Sequence, residues 1–186
     1  MEDTWRNVVE TAAAEFSDVP DAAQVTRIAL RLLVAALLGG LLGWERERKG
    51  KAAGVRTHML VALGAALFVL VPQQAGASSS DLTRVMQGLI SGIGFLGAGA
   101  IVKGGAVEAD VQGLTTAAGI WMTAAIGVAA GLGREATALL SALLALGVLA
   151  LVPKLVSRFD DKAAGDEGRM PPPPADDGAD PKARRP

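Results

Sequence analysis

Only a few residues in this sequence could do chemistry. Glu45 and Glu47, in the run WERERKGKAAGVRTH that opens at Trp44, and Asp110 further along supply hard carboxylate oxygens of the kind a magnesium ion accepts. The hydroxyls of Thr57, Thr115 and Thr116, or water, would complete such a set. Arg46 and Arg56 stand among those acids and repel a divalent cation unless each is paired away, so whether a metal binds here is left open by the sequence. His58 is the single histidine and the chain has no cysteine, so no second ligand completes a transition-metal site. A neutral hydrogen-bonding role is expected of it. No catalytic residue is assigned: Ser91 has no base within reach, and GFLGAGA at 94–100 follows an apolar helix and not a strand. Its glycines therefore suit helix packing better than a dinucleotide, and no cofactor is expected.

The residues that must hold this cluster are mostly apolar. The chain of 186 residues is 51% hydrophobic and 20% charged, but the charges collect at 1–31, 45–56, 81–84, 103–110, 134–135 and the C-terminus. The long apolar gaps between them mark a polytopic membrane protein. A net charge of -1, with no basic stripe interleaved with aromatics, gives no reason to expect a nucleic-acid partner. The lipid bilayer is the partner that composition predicts. The acidic first two dozen residues lack the continuous apolar core of a cleavable signal peptide.

Five stretches are placed across the membrane, at 25–44, 54–72, 84–102, 113–132 and 136–152. The predicted fold is all-α: a bundle of five transmembrane helices, preceded by an amphipathic helix within 1–20 and followed by a disordered tail over 163–186. In the first segment Trp5, Val8, Val9, Ala12, Ala13 and Phe16 recur at three- and four-residue spacing, the pattern of a helix lying on a membrane surface or against the bundle. The second span is the informative one. Its clean apolar run, 59–71, is 13 residues, about 20 Å of helix against a hydrocarbon core of about 30 Å. To cross, the helix must begin near Gly54, which draws Arg56, Thr57 and His58 toward membrane depth, where a charge needs a partner. Arg56 is therefore expected to pair with Glu45 or Glu47. Pro153 should end the last span, and the tail AAGDEGRMPPPPADDGADPKARRP has almost nothing apolar to bury.

Glycine is expected to pack the bundle. Gly39 with Gly43, Gly88 with Gly92, and Gly127 with Gly131 form three small-xxx-small pairs, and 84–102 adds Gly94, Gly97 and Gly99. Such residues let helix backbones approach closely in lipid. They serve contacts within a chain and between copies equally well, so a homo-oligomer is as compatible with them as a monomer.

Short loops rich in Lys and Arg stay on the cytoplasmic side. The segment 44–58 carries Arg46, Arg48, Lys49, Lys51 and Arg56 and reads as a cytoplasmic loop, which puts the N-terminus outside and the C-terminus inside. Lys103, Lys154, Arg158 and Lys162 fall on the same inner side, against Arg6, Arg27, Arg31, Arg84 and Arg134 on the outer. This topology brings Glu45, Arg46, Glu47, Arg56, Thr57, Asp110, Thr115 and Thr116 to one rim. Two readings stay open for that rim: ion pairs and caps that hold the bundle's inner end, or a site for an ion, a small ligand or a partner protein.

The blocks GWERERKGKAAGVRTHMLVALGAALF, VMQGLISGIGFLGAGAIVK and VQGLTTAAGIWMTAAIGVAAGLG resemble the successive signatures of the MgtC/SapB family of bacterial inner-membrane proteins, in order and over about 27–152. The matching positions include Glu45, Arg46, Glu47, Gly54, Arg56, Thr57, Gly92, Gly94, Gly97, Gly99, Gly113, Leu114 and Thr115. The resemblance implies a multi-pass inner-membrane protein of a family associated with growth at low magnesium and, in pathogens, with virulence. It further implies a regulatory or accessory role on another membrane complex, such as the F-type ATP synthase, with transport of magnesium or another small ion as the alternative. Virulence members append a folded cytoplasmic domain after the last span, where this sequence continues into its Pro-rich tail, so the resemblance covers the transmembrane portion. Gln112 stands where many members have Arg, removing one cation from the inner rim. Against transport, no acid lies near the middle of any span and no internal duplication is present.

Overall fold

A computed structural model describes residues 2–15, 21–103 and 111–167. They form α1 (Glu2–Glu15), α2 (Ala22–Arg48), α3 (Val55–Gln74), α4 (Ser79–Gly99), a two-residue antiparallel ribbon of β1 (Val102–Lys103) and β2 (Val111–Gln112), α5 (Leu114–Gly131) and α6 (Glu135–Glu167). In the ribbon Val102 pairs with Gln112 and Lys103 with Val111. The chain divides into a compact unit over 1–148 and a second over 149–186.

Helix α2 starts at Asp21, whose carboxylate accepts from the Gln24 N–H at 2.6 Å. It then runs straight through the WERER segment, so the expected loop over 44–58 shrinks to 49–54. The reason is local: Glu45, Arg46, Arg48 and Lys49 are good helix formers, and Glu45 pairs with Lys49 one turn on at 2.7 Å. The chain leaves the helix at Gly50, whose φ of 63° lies in the left-handed region. Helix α3 then begins where the short apolar run requires, at Val55, and carries Pro72 in its last turns. Ser78 opens α4 with a reciprocal capping box to Asp81, which moves the third helix N-terminal of the 84–102 expected for it.

The centre of the first unit is α3, held between α2 and α5. Each of these helices buries a stripe of small and apolar residues at helical spacing: Ala35, Leu38, Gly39, Leu42 and Gly43 on α2; Ala62, Ala65, Ala66, Val69 and Leu70 on α3; Gly119, Ile120, Thr123, Ala124, Gly127, Ala130 and Gly131 on α5. A Cβ added at Gly39 would sit 2.6 Å from the His58 carbonyl oxygen, and one at Gly131 would sit 2.7 Å from Ala66 Cα. The backbones thus touch where glycine permits it. Ala53, Ala65, Ile93, Ile120 and Ala124 form a further cluster that joins α4 to this core.

Helix α4 is built differently. It buries only Ile93 and Gly97, and a Cβ at Gly88, Gly92, Gly94 or Gly99 would meet nothing within 4 Å. Two of the three glycine pairs pack the bundle, while the Gly88–Gly92 pair faces open space.

Among the described residues four helices are long and apolar enough to cross a membrane: α2, α3, α5 and the Glu135–Ser157 part of α6. Helix α4 has a crossing length of 21 residues, but its glycines and Gln87 dilute its apolarity. Leu33, Leu37, Phe68, Leu139 and Leu144 are exposed, as side chains facing lipid would be. Apart from the two-residue ribbon its described elements are all helices, and the protein is a polytopic membrane protein of the all-α class.

Helix α1 presents Trp5, Val8 and Val9 at 71%, 49% and 62% exposure, so these side chains of its apolar face are largely uncovered among the described residues. Within 149–186 the helix continues through Pro153 to Glu167. This corrects the expected stop at 152: proline holds φ at a helical value, and the lost N–H bond weakens a helix without forbidding it. Most of the expected disordered tail, from 168 onward, lies outside the described residues.

Candidate functional site at the Arg46 end of the bundle

The three buried stripes run toward the same end, and each terminates there in a polar residue. On α2 the series Leu38, Leu42 continues at the same face to Arg46; on α3 Ala62 is preceded one turn earlier by His58; on α5 Gly119 is preceded by Thr116. Arg46, His58 and Thr116 are 2%, 0% and 2% exposed. Arg56 and Thr57 fall off the α3 stripe and are exposed, as is Thr115 beside Thr116.

Arg46 meets the carboxylate of Glu45, which also binds Lys49. This replaces the expected pairing of Arg56: the guanidinium carried inward is that of Arg46, whereas Arg56 makes no ion pair among the described residues. Glu47 has another task. Its Oε2 accepts from the Val55 N–H at 2.9 Å, which satisfies one of the free amides at the start of α3. A Cβ at Gly54 would lie 2.5 Å from that oxygen, so a larger residue there would make the Glu47 carboxylate shift. On the outer surface of α2, the Arg48 guanidinium lies over the Trp44 ring at 4.7 Å.

His58 is deeper than an interfacial position. Its Nδ1 lies 2.9 Å from the Gly54 carbonyl oxygen, to which it donates, while Nε2 is buried without a hydrogen-bond partner among the described residues and faces Gly119 across the α3–α5 contact. The sequence gives His58 a neutral hydrogen-bonding role but does not place it inside the helix contact. The signal that could have found it is the small-residue stripe itself, extended by one turn.

A cleft of about 430 Å³ opens beside these residues, lined by Lys51, Ala52, Ala100, Gln112, Thr115 and Thr116 among others. A second, more apolar cleft of about 400 Å³ has Thr57, Phe95, Gly99 and Thr116 in its wall. Thr57, Thr115 and Thr116 are thus gathered around adjoining clefts, whereas Glu45 and Glu47 are engaged elsewhere. Asp110 lies outside the described residues. Among the described residues no three acids or histidines come together to hold a metal ion.

The opposite end is organised by Arg31, which the sequence only counts among the basic residues of the outer side. Its Nη1 donates to Gln73 Oε1 at 2.8 Å and to the Gly131 carbonyl at 3.1 Å, and its Nε lies 3.9 Å from Glu135. One side chain therefore links α2 to the C-terminal ends of α3 and α5 and to the start of α6.

A glycine-packed core with its buried polar groups drawn mainly to the helix ends defines this as a multi-pass membrane protein of closely packed helices. The chain belongs to the MgtC family, whose model it matches over residues 32–158. It is 47% identical over 116 residues to protein SrpB of Synechococcus elongatus, covering 57% of this chain and 64% of that protein. To protein MgtC of Brucella abortus it is 45% identical over 129 residues, covering 69% and 52%. To the putative magnesium transporter YhiD of Escherichia coli it is 37% identical over 140 residues, covering 72% and 64%. The chain thus spans between half and two thirds of the length of these relatives, and none of them carries an enzyme's name. No solved structure matches it.

Proposed function

We propose that this MgtC-family protein acts by contact, as a regulatory or accessory component of a bacterial inner membrane in magnesium or envelope homeostasis, rather than by carrying an ion. In this reading the Arg46 end faces the cytoplasm and the N-terminus lies outside, as the basic residues of 46–56 favour. Helix α1, with Trp5, Val8 and Val9 exposed on its apolar face, lies on the membrane surface.

The observation that carries the reading is the closure of the α2–α3–α5 core. At Gly39, Gly127 and Gly131 an added Cβ would fall within 3 Å of the neighbouring helix backbone, and the buried polar side chains of the described residues include no acid. A magnesium ion keeps its waters or takes six oxygen ligands, so a path for it needs a wet or carboxylate-lined route. The second reading, magnesium transport, is favoured by the name that YhiD carries.

Proteoliposomes loaded with a magnesium indicator separate the two. The contact reading expects no saturable uptake, together with capture of a membrane partner by crosslinking in low magnesium. Saturable uptake that is lost in Glu45→Gln would establish transport instead.

A further inference from the structure

We propose that the cleft beside Thr116 is a binding site for a phosphate group, formed by the N-terminus of α5 together with Lys51. This goes beyond the contact reading and does not depend on it.

The argument starts at Gly113. Its φ of 91° turns the chain from β2 into α5, and a Cβ there would lie 3.1 Å from the Ala100 carbonyl carbon, so the turn needs glycine twice over. A left-handed residue followed by helical ones points successive N–H groups into one concavity, the arrangement that receives anions. The helix that follows is 18 residues long, and its N-cap supplies no side-chain hydrogen bond. The first helical N–H bond beyond the turn is that of Ala117 to the Gly113 carbonyl, so the amides of Leu114, Thr115 and Thr116 have no partner among the described residues. They carry the positive end of the α5 dipole.

The second observation is Thr116 itself. It is 2% exposed and lines the cleft, and among the described residues its hydroxyl has no hydrogen-bond partner. Thr123, on the same helix, shows the usual alternative by bonding the Gly119 carbonyl four residues back at 2.9 Å. A hydroxyl that does not bond back to its own helix and opens on the cleft is free to donate to a group that enters there. Lys51 also lines the cleft and makes no ion pair among the described residues, and Gln112 adds an amide. The described lining offers amide and hydroxyl donors and a cation, a set that suits a tetrahedral oxyanion. Because the cleft sits at the end of membrane-crossing helices, the phosphate can come from a lipid headgroup or from free phosphate.

The test uses the full chain in dodecyl maltoside, which contains no phosphate. Melting is followed against inorganic phosphate and, separately, against short-chain phosphatidylglycerol, each compared with chloride at equal ionic strength. The expected result is saturable stabilisation by one of the two, with about tenfold weaker apparent affinity in Thr116→Val and in Lys51→Gln. Saturation by phosphate alone identifies a soluble ligand, and saturation by the lipid alone identifies a headgroup site. If Thr116→Val does not fold, Lys51→Gln, at an exposed position, carries the comparison. No saturation with either probe, or equal affinity in wild type and Lys51→Gln, would overturn the assignment.

Discussion

Two arginines on one helix, Arg31 and Arg46, organise the two ends of this bundle in opposite ways. They are fifteen residues apart, about 22 Å along the helix. Arg31, with 23% of its side chain exposed, reaches across to Gln73, Gly131 and Glu135 on three other elements. Arg46, with 3% exposed, meets a carboxylate on its own helix. At the Arg31 end polar groups are used to tie helices together. At the Arg46 end α2 meets α3 through backbone packing at Gly39 and Gly43, where added Cβ atoms would lie 2.6 Å from α3, and through the Glu47 bond to the Val55 N–H. Two polar groups there, the buried His58 Nε2 and the Thr116 hydroxyl that opens on the cleft, make no hydrogen bond among the described residues. A membrane protein that needed only to be stable would have no reason to keep them.

The sharpest way to break this comparison is to disturb the middle that both ends share. A Cβ at Gly127 would lie 2.9 Å from Ala62 Cα, backbone against backbone, so Gly127→Val should cost about 3 kcal/mol or more and leave little folded protein in detergent. Gly92→Ala, at a position with nothing within 4 Å, should melt with the wild type. If Gly92→Ala is as damaging as Gly127→Val, the two classes of glycine are not distinct and α4 has a partner in the native membrane.

At the ends themselves, removing the Glu45 carboxylate from beside a buried guanidinium should be the larger loss. Burying an ion without its partner costs several kcal/mol, and the partial exposure of Glu45 reduces that to about 2 kcal/mol for Glu45→Ala. Arg31→Ala removes two hydrogen bonds to neutral acceptors and a long ion pair, worth about 1.5 kcal/mol together. Unfolding of the two variants and their combination in maltoside checks both values. With the sites about 22 Å apart the losses should add. A combined loss well short of the sum would show that the ends are coupled through α2.

How much of this was legible in advance follows the same division. Hydropathy and the apolar run 59–71 were enough to place α3 within two residues of its observed ends, because a bilayer demands a minimum length. The gathering of Arg46, Thr57, Thr115 and Thr116 at one end followed from alternating helix direction alone. What could not be read from charge counting was which arginine turns inward. Arg46 and Arg56 are equally basic, and only the phase of the stripe Leu38, Leu42, Arg46 against the phase of His58, Ala62 separates them. The role of Arg31 was hidden for a different reason. Its partners Gln73 and Gly131 are 42 and 100 residues away, and a carbonyl oxygen carries no sequence signature.

The smallest expected effect tests that phase argument directly. Lys49 and Arg56 both lie in the basic segment, and on charge alone Arg56, nearer the membrane, should matter more. The structure reverses the order. Lys49 Nζ lies 2.7 Å from Glu45 and helps to neutralise the carboxylate that Arg46 depends on, whereas Arg56 is exposed and makes no ion pair among the described residues. An ion pair with a 39% exposed lysine is screened, so Lys49→Ala should lose about 0.5 kcal/mol and Arg56→Ala no measurable stability. The lysine effect should also shrink as salt is raised, since one partner reaches solvent. A greater loss in Arg56→Ala than in Lys49→Ala, at low salt and with both variants intact, would mean that the α3 stripe is rotated in the bilayer and that Arg56, not Arg46, is the guanidinium the bundle buries.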